Sequence, residues 1–332
     1  MNEYTDLVDA LAQSNLLPLW DRYMTLLTRE PNPSDWPINW SWEALQPLIA
    51  RATEEVCMAD AERRVLLLAH PAFSPHPYTT SNLTGALQVL QPGEHAEPHR
   101  HTVAALRFVM EGDGATTWVD GQPCEMAEGD LILTPSWSWH EHANEGDRRV
   151  IWFDGLDLPL AHHLRSVFLE FRQRSGALER ATKERTGDQR QPTSLTSVDV
   201  PASTPFHYPR ASIAAALDEL SRRADGSREV RYTNGANGGP VLPTLDCYAL
   251  RLQSQVTTRA YRSTSSAIAV VAQGCGTSCV GDKTINWKKN DIFTIPHWHW
   301  VTHRAETDDA QLFLMTDRGL LDAMEYLRIE YE

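Results

Sequence analysis

The chain is poor in positive charge, poor in cysteine and without a long apolar run. Of its 332 residues, 30 are Lys or Arg against 44 Asp or Glu, a formal net charge of −14. That balance argues against general nucleic-acid binding and against attachment to an anionic membrane surface. No stretch approaches the ~20 apolar residues that a membrane-spanning helix needs. The opening Met1-Asn2-Glu3-Tyr4-Thr5-Asp6 lacks the basic start of a secretory signal. Five cysteines, an odd number without framework spacing, exclude a disulfide scaffold and point to a reducing, cytoplasmic setting.

What is present divides along the chain. Residues 1–80 read as an N-terminal helical arm, dense in tryptophan (Trp20, Trp36, Trp40, Trp42) and broken by Pro31, Pro33 and Pro37. Apolar spacing predicts amphipathic helices over Leu11 to Leu27, interrupted at Pro18, and over Leu45 to Cys57 with Ser41 as the cap. The arm is expected to pack on a barrel or across a subunit interface. Residues 81–165 alternate short β runs with Asp-Gly and Glu-Gly turns, and form a first β domain. Residues 166–240 read as a linker, polar between Arg172 and Pro201, with a short helix over Ser212 to Arg223. Residues 241–332 form a second β domain.

Within the first β domain, two stretches carry metal-ligand spacing. One is Gly93-Glu94-His95-Ala96-Glu97-Pro98-His99-Arg100-His101; the other runs from Gly129 through Pro135 and Trp137 to His140 and Asn144. Residues two apart in a strand share a face, so His99 and His101 project together, and His140 from a facing strand supplies a third imidazole. The pattern is similar to the two-part cupin signature, with one departure. The glutamate that commonly follows as a fourth ligand is replaced by Ala105 and Leu106. Three neutral histidines leave a divalent ion its full charge and open positions, which with a redox-capable metal favours Fe(II).

The last third of the chain repeats this frame. Aligning Gly112 with Gly274 sets Tyr261 and Ser263 at the places of His99 and His101. Aligning Gly129-Asp130 with Asn290-Asp291 matches Pro135 to Pro296, Trp137 to Trp298 and His140 to Val301. Pro296-His297-Trp298-His299-Trp300 therefore occupies the proline-turn register, not a ligand register. The expected fold is all-β: a bicupin of two double-stranded β-helix barrels, the first metal-binding and the second structural.

Longer segments extend the likeness. Gln88-Val89-Leu90-Gln91-Pro92-Gly93-Glu94, Leu106-Arg107-Phe108-Val109-Met110-Glu111-Gly112, Leu133 through His142, and Trp152-Phe153-Asp154-Gly155-Leu156-Asp157-Leu158-Pro159 resemble the gentisate 1,2-dioxygenase family. Ala61 to Leu66 and Gly238 to Thr244 continue it. The resemblance implies Fe(II) on three histidines, cleavage of 2,5-dihydroxybenzoate with O2 to maleylpyruvate, and a homotetramer. Relatives in that family act on salicylate or 1-hydroxy-2-naphthoate, so those substrates stay open. Ser81 to Gly85 depart from the family in lacking an aromatic side chain, and Ala86 and Leu87 leave a small apolar wall.

Arg107 shares parity with His99 and His101 and so enters the same cavity. A buried guanidinium beside a cation calls for an anion, which a substrate carboxylate or a barrel carboxylate supplies. The resemblance implies Arg63 as a second anion contact, with Arg64 beside it as the alternative. His142 shares a face with His140, and a neutral imidazole there can take a phenolic proton. Asp154 either orients His142 or takes that proton itself. Trp152 walls the pocket, and Gln88, polar in an apolar strand, needs a partner that a ligand histidine or the substrate would provide. Two other classes stay in view: a zinc or manganese cupin isomerase, and a non-enzymatic bicupin that binds a small molecule.

Overall fold

The computed structural model describes residues 3–172, 206–308 and 310–332. The polar linker read after Arg172 therefore lies outside the described residues as far as Pro201. The chain separates into two units, 1–33 and 34–332. The first contains the helix Glu3–Gln13 and the short helix Tyr23–Leu26, with Pro18 in the break between them. In the second, the helix Trp42–Glu55 starts where Ser41 Oγ accepts from Ala44 N at 3.3 Å, and buries Trp42, Leu45 and Ile49. No described helix is long and apolar enough to cross a membrane.

The rest is two barrels, each made from a pair of antiparallel sheets. In the first, Ala105–Glu111, Val150–Leu156 and Thr84–Leu90 lie side by side in a six-stranded sheet. Facing them, His95–His101, His140–Asn144 and Ala115–Val119 lie side by side in a five-stranded sheet. The burial patterns explain the sequence. Thr84–Leu90 is buried at every position, because one face lines the barrel and the other meets the second barrel. Its near-continuous apolar run follows from that two-sided burial. Ala115–Val119 alternates between buried and half-buried, as a strand does when one face looks outward.

The two barrels share one core. Leu87, Leu106, Phe108 and Phe153 from the first pack with Ile268, Val270, Phe313 and Met315 from the second. Phe108 and Phe313 stack at 4.3 Å. Backbones approach so closely that a Cβ on Gly155 would lie 2.0 Å from Met315 Sδ. Two reciprocal clasps close the interface. Asp157 accepts from Ala104 N at 2.8 Å and from Thr244 Oγ1 at 2.6 Å. Asp317 accepts from Ser266 N at 2.9 Å and from Asn82 Nδ2 at 2.7 Å. Each aspartate thus ties its own barrel's strand to the other barrel's entry loop.

Segments ahead of each barrel also complete the sheets. Asn39–Trp40 pairs with Ile292–Ile295 of the second barrel, while Val65–Leu67 pairs with Thr84–Leu90 of the first. Arg228–Asn234 pairs with Asp246–Arg251, drawing residues ahead of 241 into the second barrel's sheet. Gly112 ends the strand Ala105–Glu111 at φ +89°, where a Cβ would lie 2.2 Å from the Arg149 carbonyl oxygen. Gly112→Ala is expected to cost about 3 kcal/mol, from left-handed strain plus backbone overlap. A thermal unfolding scan showing an unchanged midpoint would contradict this.

The repeat seen in the sequence is repeated in the bonding. Trp137 N donates to the His101 carbonyl at 2.8 Å, and Trp298 N to the Ser263 carbonyl at 2.6 Å. Both tryptophans take left-handed backbone, φ 63° and 60°, which bulky residues adopt only when held there. Arg100 covers Trp137 and Trp139 as Arg262 covers Trp298 and Trp300.

Candidate metal centre

The strand His95–His101 pairs antiparallel with His140–Asn144, setting His99 directly across from His140. The register slips between Ala96 and His99, and His101 follows two residues on. Ligand atoms of His99, His101 and His140 lie within 4.8 Å of one another, with no carboxylate in the cluster. Ala105 and Leu106, where a fourth ligand would fall, are buried apolar residues.

The outer nitrogens decide whether this set fits a metal. His101 Nδ1 lies 2.7 Å from the Val103 carbonyl and His140 Nδ1 lies 3.0 Å from the Ser138 carbonyl. A carbonyl only accepts, so each Nδ1 carries the proton and each Nε2 lone pair turns inward. The Glu97 carbonyl accepts from Arg63 Nη2 at 2.6 Å, beside the His99 ring. His140 Nε2 is buried without a hydrogen-bond partner. Burial lowers all three imidazoles: His99 to about 2, helped by Arg63; His101 to about 4; His140 well below its usual value. Neutral imidazole is the ligating form, so the donor set fits a divalent transition metal.

Around the triad, the strand Val150–Leu156 lies between Thr84–Leu90 and Ala105–Glu111. Its register sets Trp152 across from Gln88, and Asp154 across from Arg107. Arg107, 3 % exposed, has its Nε 3.4 Å from Asp154 Oδ1, and Nη1 donates to Thr134 Oγ1. Burial pushes the Asp154 carboxyl up to about 6 despite Arg107. Of the two readings of Arg107, the barrel carboxylate is therefore present, and the guanidinium Nε still lacks a hydrogen bond. Asp154 faces Arg107; the partner of His142 Nδ1 is Thr117 Oγ1 at 2.8 Å. Thr117 was not singled out in the sequence, since it meets His142 across strands that are not consecutive in the chain.

The two adjacent arginines separate cleanly. Arg64 donates Nε to the Val56 carbonyl at 2.7 Å and forks both terminal nitrogens onto the Glu94 carboxylate. Arg63 instead reaches the triad, with Nη2 2.5 Å from His99 Nδ1. Its pKa falls to about 10, through burial and the nearby Arg107 charge. Trp152 is fully buried with its ring 5.3 Å from that of His142. Unsatisfied buried atoms gather here: Arg63 Nε, Gln88 Nε2, Arg107 Nε, His140 Nε2 and His142 Nε2. Native interiors leave few such atoms, and a group of them marks a place where a ligand completes the bonding.

The chain has counterparts among known proteins. A profile of the cupin domain family matches residues 86–156. Gentisate 1,2-dioxygenase 1 of Aquipseudomonas alcaligenes is 33% identical over 95% of this chain and 93% of its own. A 5-aminosalicylate 1,2-dioxygenase of Comamonas sp. is 34% identical over 96% and 87%. The crystal structure of salicylate 1,2-dioxygenase from Pseudoaminobacter salicylatoxidans, as adducts with gentisate, superposes with a TM-score of 0.87. It is 30% identical, covering 100% of this chain and 94% of that one.

Proposed function

Because the chain belongs to the bicupin family of ring-cleaving gentisate, salicylate and hydroxynaphthoate 1,2-dioxygenases, we propose that it cleaves gentisate with O2 to maleylpyruvate. The carrying observation is electrostatic. Two guanidiniums, Arg63 and Arg107, face one buried carboxylate, Asp154, beside three neutral imidazoles, while Glu62 and Glu97, which also act on Arg63, are exposed. The cavity holds surplus positive charge, to which a metal adds more, and only an anionic ligand relieves it.

Fe(II) held by His99, His101 and His140 supplies, when bound, the redox coupling between ring and O2 and a template for the substrate's oxygens. The protein groups do the rest. Arg107 and Arg63 take the substrate carboxylate through charge-assisted hydrogen bonds worth ~1.5–3 kcal/mol each. Gln88 Nε2 donates to a ring oxygen, and Trp152 walls the cavity. His142 Nε2 accepts the phenolic proton, its pKa held well below the usual value by burial and then Arg107. In the tautomer that suits this role Nδ1–H donates to Thr117 Oγ1, whose own hydroxyl donates to Met126 Sδ at 3.3 Å. Asp154 serves as counter-ion to Arg107 and as a second proton store. The chain is further taken to act as a homotetramer, in keeping with the exposed Val167, Phe168, Leu169 and Phe171 at the edge of the metal-bearing sheet.

The test is anaerobic loading with Fe(II), then O2 uptake with gentisate, salicylate and 1-hydroxy-2-naphthoate offered separately. Gentisate is expected to be consumed fastest, with appearance of a ring-opened absorbance. Iron-loaded protein that consumes O2 with salicylate or hydroxynaphthoate and not with gentisate would overturn the substrate while leaving the family intact.

A further inference from the structure

The second barrel lost every metal-ligand position, yet its interior did not collapse. It holds a cavity of about 610 Å³, partly open to solvent and walled by Tyr248, Leu250, Tyr261 and Leu314. A purely structural copy would be expected to fill that space, since interiors pack to the density of organic crystals. Volume, aromatic walls and a few convergent polar groups are the marks of a small-molecule site.

The polar groups say what kind of molecule. His303 stands where His142 stands in the first barrel, is 1 % exposed, and lines the cavity with its Nε2 unpartnered. Its Nδ1 lies 2.7 Å from Ser278 Oγ, the counterpart of Thr117. Ser278 Oγ also accepts from Trp287 Nε1 at 2.9 Å, and both its proton and its second lone pair remain for His303 Nδ1. Either tautomer leaves Nε2 a polar atom without a partner at the cavity wall, suited to a hydroxyl, which both donates and accepts. Charge comes from arginines on the same wall. Arg223 is paired with Glu229 at 2.8 Å, and Arg259 Nε donates to the Glu332 carbonyl at 2.7 Å. Arg318 has no carboxylate partner among the described residues, and its guanidinium lies 5.4 Å over the Tyr248 ring.

We propose that the second barrel binds a hydroxylated aromatic monocarboxylate, its carboxylate held by Arg318, its hydroxyl hydrogen-bonded to His303 Nε2, and its ring between Tyr248, Leu250 and Leu314. The site is separate from the metal centre and does not depend on the chemistry assigned there. No group is transferred; the claim is one of binding.

4-Hydroxybenzoate is a suitable probe, because it carries both oxygen functions and lacks the adjacent pair that a metal chelate uses. Titrated calorimetrically into the full-length iron-loaded chain, it is expected to bind with one equivalent in the second barrel. Arg318→Ala, at a partly exposed position, should fold normally and weaken binding about tenfold or more. Leu250→Trp, which fills the cavity, should abolish that equivalent. A crystal soak showing the probe against Arg318 would support the same reading. Absence of binding at millimolar probe would overturn it. So would an equivalent lost in Arg107→Ala and retained in both Arg318→Ala and Leu250→Trp, which places the probe in the first barrel.

Discussion

Replacing His140 with alanine is expected to take the chain from one retained Fe(II) to none that survives dialysis, and to abolish O2 uptake. Partners of ligand histidines alone alter metal affinity 10–100-fold, so a ligand itself should be worth ~1000-fold or more. The fold should survive, because the substitution removes only the hydrogen bond to the Ser138 carbonyl and a buried Nε2 that has none. Metal analysis after dialysis reads the first outcome and a thermal scan of the metal-free chain reads the second. Iron retained at full stoichiometry in His140→Ala would displace the metal centre from this triad.

The second large effect concerns stability. Asp154→Ala leaves Arg107 buried with no carboxylate opposite, and breaking such a pair from one side costs about 3–5 kcal/mol. Urea unfolding of the metal-free chain should show the midpoint falling sharply. Replacing both partners by apolar residues should recover much of the loss, because desolvation of the pair is then relieved.

The pH dependence of the same transition has a definite sign. The imidazoles of His99, His101, His140, His142 and His303 are all lowered by burial, so the unfolded chain binds their protons first. Their contribution is present above pH ~6.5 and lost as pH falls towards their folded values. Asp154 and Asp317, both raised to about 6 by burial, work the other way, contributing below their unfolded pKa of 3.8 and losing that as pH rises through 6. Asp154→Asn should therefore steepen the net rise in stability between pH 4 and 6, relative to wild type. A difference curve that is flat across that window would show that Asp154 titrates alike in both states.

The triad and the duplication were legible because they rest on local rules. Alternation along a strand puts His99 and His101 on one face, and the Pro-Trp turn recurs at a fixed offset in both halves. Arg107 beside Asp154 was less legible, since parity gives a face while cross-strand register depends on hairpin lengths and a bulge. Arg63 and Arg64 are neighbours in sequence with opposite destinations, decided by Glu94 and Glu97 some thirty residues away. The pairing of Asn39–Trp40 with Ile292–Ile295 had no local signal at all. Neither did the open interior of the second barrel, which depends on the combined volumes of side chains from many strands.

That same distant pairing bears on how the polypeptide matures on the ribosome. Trp42 N donates to Asp291 Oδ1 at 2.7 Å, and the helix it begins sits in the core common to both barrels. The segment around residue 40 therefore waits for some 250 residues of synthesis before its partner strand exists. Such long-range closure is slow and leaves apolar surface uncovered while translation proceeds. Emerging chains should thus depend on chaperone protection until the last barrel closes. Truncations that spare every metal ligand but remove the C-terminal quarter should be recovered as aggregates.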